Sequence, residues 1–198
     1  MIETALLARH AETDYSLRGL VNGDPSANVR LTEAGREQAR ALGAALASEA
    51  VDLCVITEFP RTHETADLAL GRRKIPRLVV RDLNDPDYGE FEGRSLADYR
   101  DWVTQHGSRE HIPGSRESRL DVIRRYSSGF RAVLERPEAT VLCVLHSLPL
   151  AYLVGALEAR DPTPRVALVG YAEVLRVSAA ELDRAVSRLE AWSQVPTW

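Results

Sequence analysis

The sequence has little lysine, few cysteines and no long hydrophobic run. Lys74 is the only lysine, so arginine supplies nearly all of the 25 basic residues. The formal net charge of −4 at pH 7 argues against a broad nucleic-acid-binding surface. The two cysteines, Cys54 and Cys143, each lie within an apolar run, which excludes a disulfide framework and predicts reduced, buried thiols.

No stretch reaches the ~18 consecutive apolar residues that indicate a membrane-spanning helix. The apolar residues near the N-terminus are bracketed by Glu3 and Arg9, a pattern unlike that of a secretory signal peptide. The sequence therefore predicts a cytoplasmic protein with neither a membrane partner nor a nucleic-acid partner. Its 198 residues, of which 44% are hydrophobic, match the size of a single domain, residues 1–198.

Strand-like and helical segments alternate along the chain, with an irregular loop predicted over Asp14–Arg30. This order predicts an α/β fold, a three-layer α/β/α sandwich with a mostly parallel central sheet and helices on both faces. Strands are predicted at the apolar run from Ala5 to Arg9 and at Val51–Ile56, Leu78–Arg81, Thr140–Leu145 and Tyr171–Val177. Helices are predicted at Leu31–Ala50, Pro60–Leu70, Ser95–Gln105, Arg116–Glu135, Pro149–Ala159 and Ala179–Trp192.

The stretch Ala5–Thr13 places Arg9 and His10 at the end of a buried strand, where open α/β sheets hold their ligands. A neutral imidazole has one nitrogen with a free lone pair, and this nitrogen can accept a phosphoryl group. The positive charge of Arg9 disfavours imidazolium and its planar guanidinium suits phosphate oxygens. The pair alone is more typical of a histidine that only hydrogen-bonds at a strand end.

Three more polar groups follow separate predicted strands. Arg61 lies at the start of a helix behind Pro60, where free backbone N–H groups favour an anion. Asp85 and Asp87 follow the third strand, and one of them is a candidate general acid, although the sequence around Asp87 is typical of turn chemistry. His146 ends the fourth strand. Because parallel strands end at one edge of the sheet, these groups are predicted to lie close together there. Together they would supply a nucleophile, a phosphate clamp and a proton donor.

Two arginines, His146 and a helix N-terminus are predicted to neutralise the phosphoryl oxygens without magnesium. His106 and His111 lie in a loop without neighbouring cysteines, which is not the spacing of a zinc site. We therefore expect no metal and no cofactor.

The sequence also resembles the histidine phosphatase superfamily of phosphoglycerate mutase-like enzymes over nearly its whole length. The matching motifs are Leu7-Ala8-Arg9-His10-Ala11-Glu12-Thr13, Leu31-Thr32-Glu33-Ala34-Gly35 with Gln38-Ala39, Arg61 followed by Thr65-Ala66, Tyr88-Gly89-Glu90-Phe91-Glu92-Gly93, and the strand that ends at His146. The chain departs from the family in having Ala11 and Ser147 where glycine is usual.

The resemblance implies a phosphohistidine intermediate on His10, with Arg9, Arg61 and His146 around the transferred phosphoryl group. It implies that Asp85 protonates the leaving oxygen, and Asp87 stays the competing assignment. It also places Ser16, Asn22, Gly23 and Ser147 at substrate-binding positions.

The predicted activity is hydrolysis of a small phosphorylated metabolite, a phosphate monoester. The chain resembles the family's mutases less, because Asp85-Pro86-Asp87-Tyr88 replaces their Glu-Arg-His-Tyr stretch. Phosphoglycerate mutase-type transfer, or a non-catalytic phosphate-binding module on the same fold, remain the alternatives. A cap segment is predicted at about residues 94–118, and the edge strand Tyr171–Val177 is compatible with a homodimer.

Overall fold

A computed structural model describes residues 2–198 and contains a central sheet of five strands. The strands lie in the order β3-β2-β4-β1-β5, and all neighbours are parallel except the antiparallel pair of β1 and β5. The strands are β1 (Thr4–Arg9), β2 (Leu53–Ile56), β3 (Arg77–Val79), β4 (Thr140–Leu145) and β5 (Val174–Ser178). The predicted mostly parallel sheet is thereby confirmed.

Helices cover both faces of this sheet. They are α1 (Asp14–Leu17), α2 (Glu33–Ala45), α3 (Pro60–Leu70), α4 (Leu96–Gln105), α5 (Arg119–Leu134), α6 (Ser147–Leu157) and α7 (Ala179–Gln194). Two short 3₁₀ turns, Arg81–Leu83 and Gly89–Phe91, lie between β3 and α4.

The side chains of each central strand alternate between two hydrophobic cores, as the period of two in a strand requires. On β4, Val141 and Cys143 enter the core formed with α5, α6 and α7. Leu142 and Val144 enter the core formed with α2 and α3. Both faces of the sheet are thus buried, which confirms the predicted three-layer sandwich.

A third, smaller core of buried side chains joins the loop that follows β1 to the loops and helix that follow β3. It consists of Val21, Tyr88, Tyr99, Val103 and Ile112. This cluster anchors α4, within the predicted cap segment, to the loop that follows β1.

Two helix boundaries differ from the prediction because of side-chain caps. The loop predicted over Asp14–Arg30 begins with the one-turn helix α1, which Thr13 and Ser16 cap reciprocally. Helix α5 begins at Arg119 rather than Arg116, because the same kind of capping box forms between Ser118 and Asp121.

Helices α2 and α6 also differ from their predicted bounds. Helix α2 starts after Thr32, whose side chain caps it, and ends at Ala45 rather than Ala50. Arg73 donates hydrogen bonds to the carbonyls of Leu46 and Glu49, which follow the helix. Helix α6 begins at Ser147 and has its proline in the first turn, where a proline N–H is not needed.

Within residues 2–198, no helix combines the length and the apolar character that crossing a membrane requires.

Candidate active site

The carboxyl ends of four parallel strands place the predicted polar groups at one edge of the sheet. His10 directly follows β1 and His146 directly follows β4. Arg61 is the second residue of α3, after β2, and Asp85 follows β3 and its 3₁₀ turn. Because these strands are parallel neighbours, residues far apart in sequence come into direct contact.

His10 is 4% exposed, and both of its ring nitrogens have partners. We assign the Nδ1 proton to a hydrogen bond with the carbonyl oxygen of Ala11, at 2.8 Å. The lone pair of Nε2 then accepts a hydrogen bond from Arg61 Nε at 3.2 Å. Burial and the charges of Arg61 and Arg9 hold the pKa of His10 well below its ordinary value, so the imidazole is neutral.

The backbone that orients His10 is held by helix α3. The amide of Ala11 donates to Thr65 Oγ1 at 3.0 Å, and Thr65 Oγ1 donates in turn to the carbonyl of Arg61 at 2.7 Å. Thr65 therefore connects the loop after β1 to the helix that carries Arg61, which explains why the Arg61, Thr65 motif accompanies the His10 motif.

Arg61 is the centre of the hydrogen-bond network and is 3% exposed. Its Nη1 donates to Asn22 Oδ1 at 2.6 Å, and its Nη2 donates to Asp85 Oδ2 at 2.7 Å. The guanidinium carbon lies 4.2 Å from the ring centroid of Phe59, within the range of a cation–π contact. One planar cation thereby fixes His10 and Asp85 relative to each other.

Arg9 lies across the ring of Tyr171, with its guanidinium carbon 3.9 Å from the ring centroid. Its Nη1 donates to the carbonyl of Val169 at 2.8 Å, and its buried Nε has no hydrogen-bond partner within residues 2–198. A buried donor without a partner is costly unless a ligand accepts its hydrogen bond. Arg9 therefore has donor capacity for an anion at the edge of the sheet.

His146 is fully buried, and a chain of hydroxyl groups sets its tautomer. Thr62 Oγ1 donates to the carbonyl of Phe59 at 2.9 Å, so it accepts from Thr57 Oγ1 at 3.1 Å. Thr57 Oγ1 then accepts from His146 Nε2, 2.9 Å away. This assignment leaves the lone pair of His146 Nδ1 facing Asp85.

Asp85 Oδ2 lies 3.2 Å from His146 Nδ1, at an angle outside ordinary hydrogen-bond geometry. Burial raises the pKa of Asp85, although Arg61 acts in the opposite direction. Burial and the charge of Arg61 also lower the pKa of His146 well below its ordinary value. The raised pKa of Asp85 and the lone pair of His146 Nδ1 beside it both favour the protonated form of this carboxyl group.

Asp87 lies outside this cluster. It is exposed, and its Oδ1 accepts a hydrogen bond from the amide of Gly89 at 3.0 Å. This is the turn chemistry that the sequence around Asp87 predicts.

Three of the four predicted substrate-binding residues line the cleft that contains His10. Ser16 and Ser147 line the cleft above His10. Ser16 Oγ is also part of the cap of α1, and Ser147 Oγ accepts from the amide of Val169 at 3.1 Å.

Asn22 lines the same cleft, but its side-chain atoms are engaged by protein groups. Its Oδ1 accepts from Arg61, and its Nδ2 donates to Glu92 at 2.8 Å. Gly23 does not line the cleft: its amide donates to Glu92 Oε2 at 2.7 Å, and an added Cβ would lie 1.9 Å from the carbonyl oxygen of Pro86. Asn22 therefore positions Arg61, and the expectation that Gly23 contacts substrate stays a prediction.

The cleft also contains groups that the sequence did not single out. Tyr99, Arg100 and Arg119 line it together with the predicted residues. Arg119 is the first residue of α5, and nothing in the local pattern distinguishes it from a surface arginine. Within residues 2–198, no three His, Cys, Asp or Glu side chains are grouped so that they could hold a metal ion.

The two buried histidines predict a specific pH dependence of folding stability. Both stay neutral in the folded protein but gain a proton in the unfolded chain below the ordinary histidine pKa of 6.5. The free energy of unfolding should therefore fall by about 1.4 kcal/mol per pH unit for each histidine as the pH drops from 6 to 5. The raised pKa of Asp85 has the opposite effect, because protonation of this carboxyl group favours the folded state as the pH falls.

Denaturant unfolding of the wild type and His10→Asn at pH 6.0, 5.5 and 5.0 isolates one histidine. The variant should lose about 1.4 kcal/mol per pH unit less than the wild type. Identical slopes for the two proteins would show that His10 is protonated in the folded state.

Comparison with known proteins confirms the resemblance of these motifs. A sequence profile of the histidine phosphatase superfamily (branch 1) matches residues 5–194. The chain therefore belongs to this superfamily. The solved structure of Bacillus stearothermophilus YhfR has the same fold, with a TM-score of 0.73 and 27% identity over 87% of this chain and 89% of that one.

Two curated relatives have different named activities. The 2,3-bisphosphoglycerate-dependent phosphoglycerate mutase of Methylobacterium sp. (strain 4-46) is 34% identical over 102 residues, 48% of this chain and 47% of that protein. The adenosylcobalamin/alpha-ribazole phosphatase of Escherichia coli (strain K12) is 36% identical over 92 residues, 46% of this chain and 44% of that protein. The chain thus matches slightly less than half the length of each relative.

Proposed function

We propose that this protein hydrolyses phosphate monoesters of small molecules through a phosphohistidine on His10. The observation that carries the proposal is the neutral, buried imidazole of His10, whose Nε2 faces the guanidinium of Arg61. The unpartnered Nε of Arg9 supplies a second donor for the phosphoryl oxygens. The relatives named as phosphatases and phosphoglycerate mutases agree with phosphoryl chemistry in this family.

In the first step, His10 Nε2 attacks phosphorus while the bond from phosphorus to the ester oxygen breaks. Protonated Asp85 gives its proton to that leaving oxygen, so the product leaves as a neutral alcohol. In the second step Asp85 takes a proton from water, whose oxygen attacks the phosphohistidine. The P–N bond breaks, inorganic phosphate leaves, and His10 and protonated Asp85 are restored.

The remaining groups stabilise the charge on the phosphoryl oxygens. Arg9 and Arg61 supply positive charge, and the uncapped N-termini of α3 and α6 supply free backbone N–H groups. His146 is held neutral beside Asp85 and positions its carboxyl group. Because these groups already neutralise the oxygens, we infer that no divalent ion is required.

Release of inorganic phosphate from a panel of phosphate monoesters, with and without a chelator, tests the function directly. Turnover that is insensitive to the chelator supports the proposal. Binding of phosphate without turnover of any ester would favour the non-catalytic phosphate-binding module instead.

Asp85→Asn should have an effect that depends on the leaving group. A general acid contributes ~10²–10⁴-fold when the departing oxygen is basic, and less when it is already stable as an anion. We therefore expect Asp85→Asn to slow hydrolysis of an alkyl phosphate far more than that of 4-nitrophenyl phosphate, with Asp87→Asn as the matched control. Equal losses on both esters would remove Asp85 from the acid role, and a selective loss in Asp87→Asn would transfer that role to Asp87.

The phosphoglycerate mutase of Methylobacterium among the relatives makes phosphoryl transfer between positions of one substrate the second candidate. A mutase must keep its bisphosphorylated intermediate away from water, whereas a phosphatase must admit water. We propose that the cap segment at about residues 94–118 covers the cleft but leaves it open to water. Measuring phosphate release and isomer formation from the same phosphoglycerate separates the two activities.

We also propose a cytoplasmic location and a homodimer. The free, buried thiols of Cys54 and Cys143 suit a reducing compartment. Strand β5 has one unpaired edge, and Val174 and Leu175 are exposed there. Sedimentation of the purified protein tests the dimer, and fluorescent labelling of the full chain in its own cell tests the location.

A further inference from the structure

Two arginines line the catalytic cleft without taking part in the proposed reaction. Arg119 and Arg100 both contribute to the cleft that contains His10. Within residues 2–198 neither makes a hydrogen bond or ion pair to His10, Arg61 or Asp85. They are therefore available to a different part of a bound molecule.

Arg119 is a buried cation whose protein partners are uncharged. It is 3% exposed, and its Nη1 donates to Tyr99 Oη at 2.9 Å while its Nε donates to Tyr152 Oη at 3.1 Å. No carboxylate within residues 2–198 forms an ion pair with it. Burial raises the pKa of Tyr152, so this hydroxyl is neutral and supplies no compensating charge at pH 7.

Arg100 brings a second uncompensated charge close to the first. It is half-buried, and its Nη2 donates to the carbonyl of Val166 at 2.9 Å. Burial and the charges of Arg165 and Arg119 lower its pKa. The neighbouring Arg165 is ion-paired with Asp101, whereas Arg100 has no such partner within residues 2–198.

The cleft as a whole has an excess of positive charge among its lining side chains. Four arginines line it, and Asp85 is the only carboxylate among its lining residues. A phosphate ester would engage Arg9 and Arg61, which leaves two cations unmatched. Buried charges are retained at low cost only when a partner neutralises them. The rest of the lining includes the apolar side chains of Leu96, Leu148, Val166 and Leu168.

We propose that Arg119 and Arg100 form a second anion-binding subsite, so that preferred substrates carry a second anionic group, a carboxylate or a second phosphate. An apolar carbon skeleton joins this group to the hydrolysed phosphate ester and packs against the aliphatic lining. The inference rests on the proposed phosphatase function and specifies the substrate class of the same cleft.

Matched pairs of substrates test the subsite. Alkyl phosphates of four to seven carbons are compared with the ω-carboxyalkyl phosphates and the α,ω-alkanediol bisphosphates of equal length. For at least one length, the wild type should prefer an ester with the second anion by at least tenfold in kcat/KM. Comparing the carboxylate series with the bisphosphate series shows which of the two anionic groups the subsite prefers.

Arg119→Met should lower this preference by roughly ten- to a hundredfold, the range for hydrogen bonds to a charged group. The measured quantity is the ratio of two kcat/KM values in one preparation, so partial unfolding of the variant cancels. Arg100→Met removes the half-buried cation and should lower the same ratio by a smaller factor. Arg116→Met, at an exposed position outside the cleft, is the matched control and should keep the wild-type ratio.

A ratio near one in the wild type at every length, or an undiminished preference in Arg119→Met, would overturn the subsite. If no ester of any series is hydrolysed, the proposed function fails first. Binding of 6-phosphonohexanoate and hexylphosphonate by calorimetry then decides the subsite separately. Equal affinity for the two phosphonates would contradict it, and tighter binding of the carboxylated one that Arg119→Met removes would support it.

Discussion

His10→Ala is expected to lower kcat/KM for every phosphate monoester by ~10⁴-fold or more. The methyl group of alanine has no lone pair to attack phosphorus, so the two-step route is closed. Removing the nucleophile of a covalent mechanism leaves only the rate enhancement from binding and charge stabilisation. The variant should still bind inorganic phosphate, because Arg61 and Arg9 remain in place.

The matched control for this variant is His111→Ala. His111 is exposed and lies outside the cleft, so its loss should leave kcat/KM close to the wild-type value. Residual turnover by His10→Ala within tenfold of the wild type would mean that water attacks the ester directly.

Arg61→Met is expected to cause the second-largest loss, roughly 10²–10³-fold in kcat/KM, as is typical when a donor to developing charge is removed. Arg61 also orients His10 and Asp85 through direct hydrogen bonds, so both groups should become less well positioned. Arg61→Lys keeps the charge but replaces the planar guanidinium by a single ammonium group. It should therefore recover only part of the activity.

The stability of Arg61→Met should reveal the contact between the Arg61 guanidinium and Asp85 at a pH where this carboxyl group is ionised. Without its cation, the pKa of Asp85 rises further, and ionising this carboxyl group then opposes folding. The destabilisation should approach ~3 kcal/mol when Asp85 must ionise and shrink at lower pH, where the carboxyl group is neutral. Denaturant unfolding of both proteins at pH 5 and pH 8 measures this difference. A destabilisation independent of pH would show that Asp85 does not depend on Arg61 for its charge.

The sequence was sufficient to predict the sheet and the convergence of polar groups on it. Thr140–Leu145 was predicted residue for residue, because an apolar run between polar ends has few other interpretations. The parallel arrangement follows from the alternation of strands and helices. The strand-end positions alone therefore predict that His10, Arg61, Asp85 and His146 lie together.

Features that depend on side-chain pairing across the fold could not be predicted in this way. The burial of Arg119 arises from Tyr99 and Tyr152, which belong to two other helices. Asn22 lies at a predicted substrate-binding position, and the hydrogen bond that its side-chain oxygen accepts from Arg61 was not predicted. In each case the partners are distant in sequence, so no local sequence pattern predicts their contact.

The chain of hydroxyl groups beside His146 could not be predicted from the sequence either. Thr57 and Thr62 flank the turn between β2 and α3, and by themselves they resemble ordinary turn and cap residues. Only the approach of β4 makes Thr57 the partner that sets the tautomer of His146. A sequence pattern gives the type of residue available at a strand end, whereas the protonation state comes from its neighbours in space.

Trapping of the phosphoenzyme tests the central claim most directly. A reaction with a ³²P-labelled phosphate monoester is quenched in alkali within the first turnover, and the intact protein is digested and its labelled peptide sequenced. The mechanism predicts an acid-labile, alkali-stable phosphoryl group on His10, absent from His10→Ala and lost on the timescale of turnover. A protein that releases inorganic phosphate at the full rate without any label on His10 would contradict it.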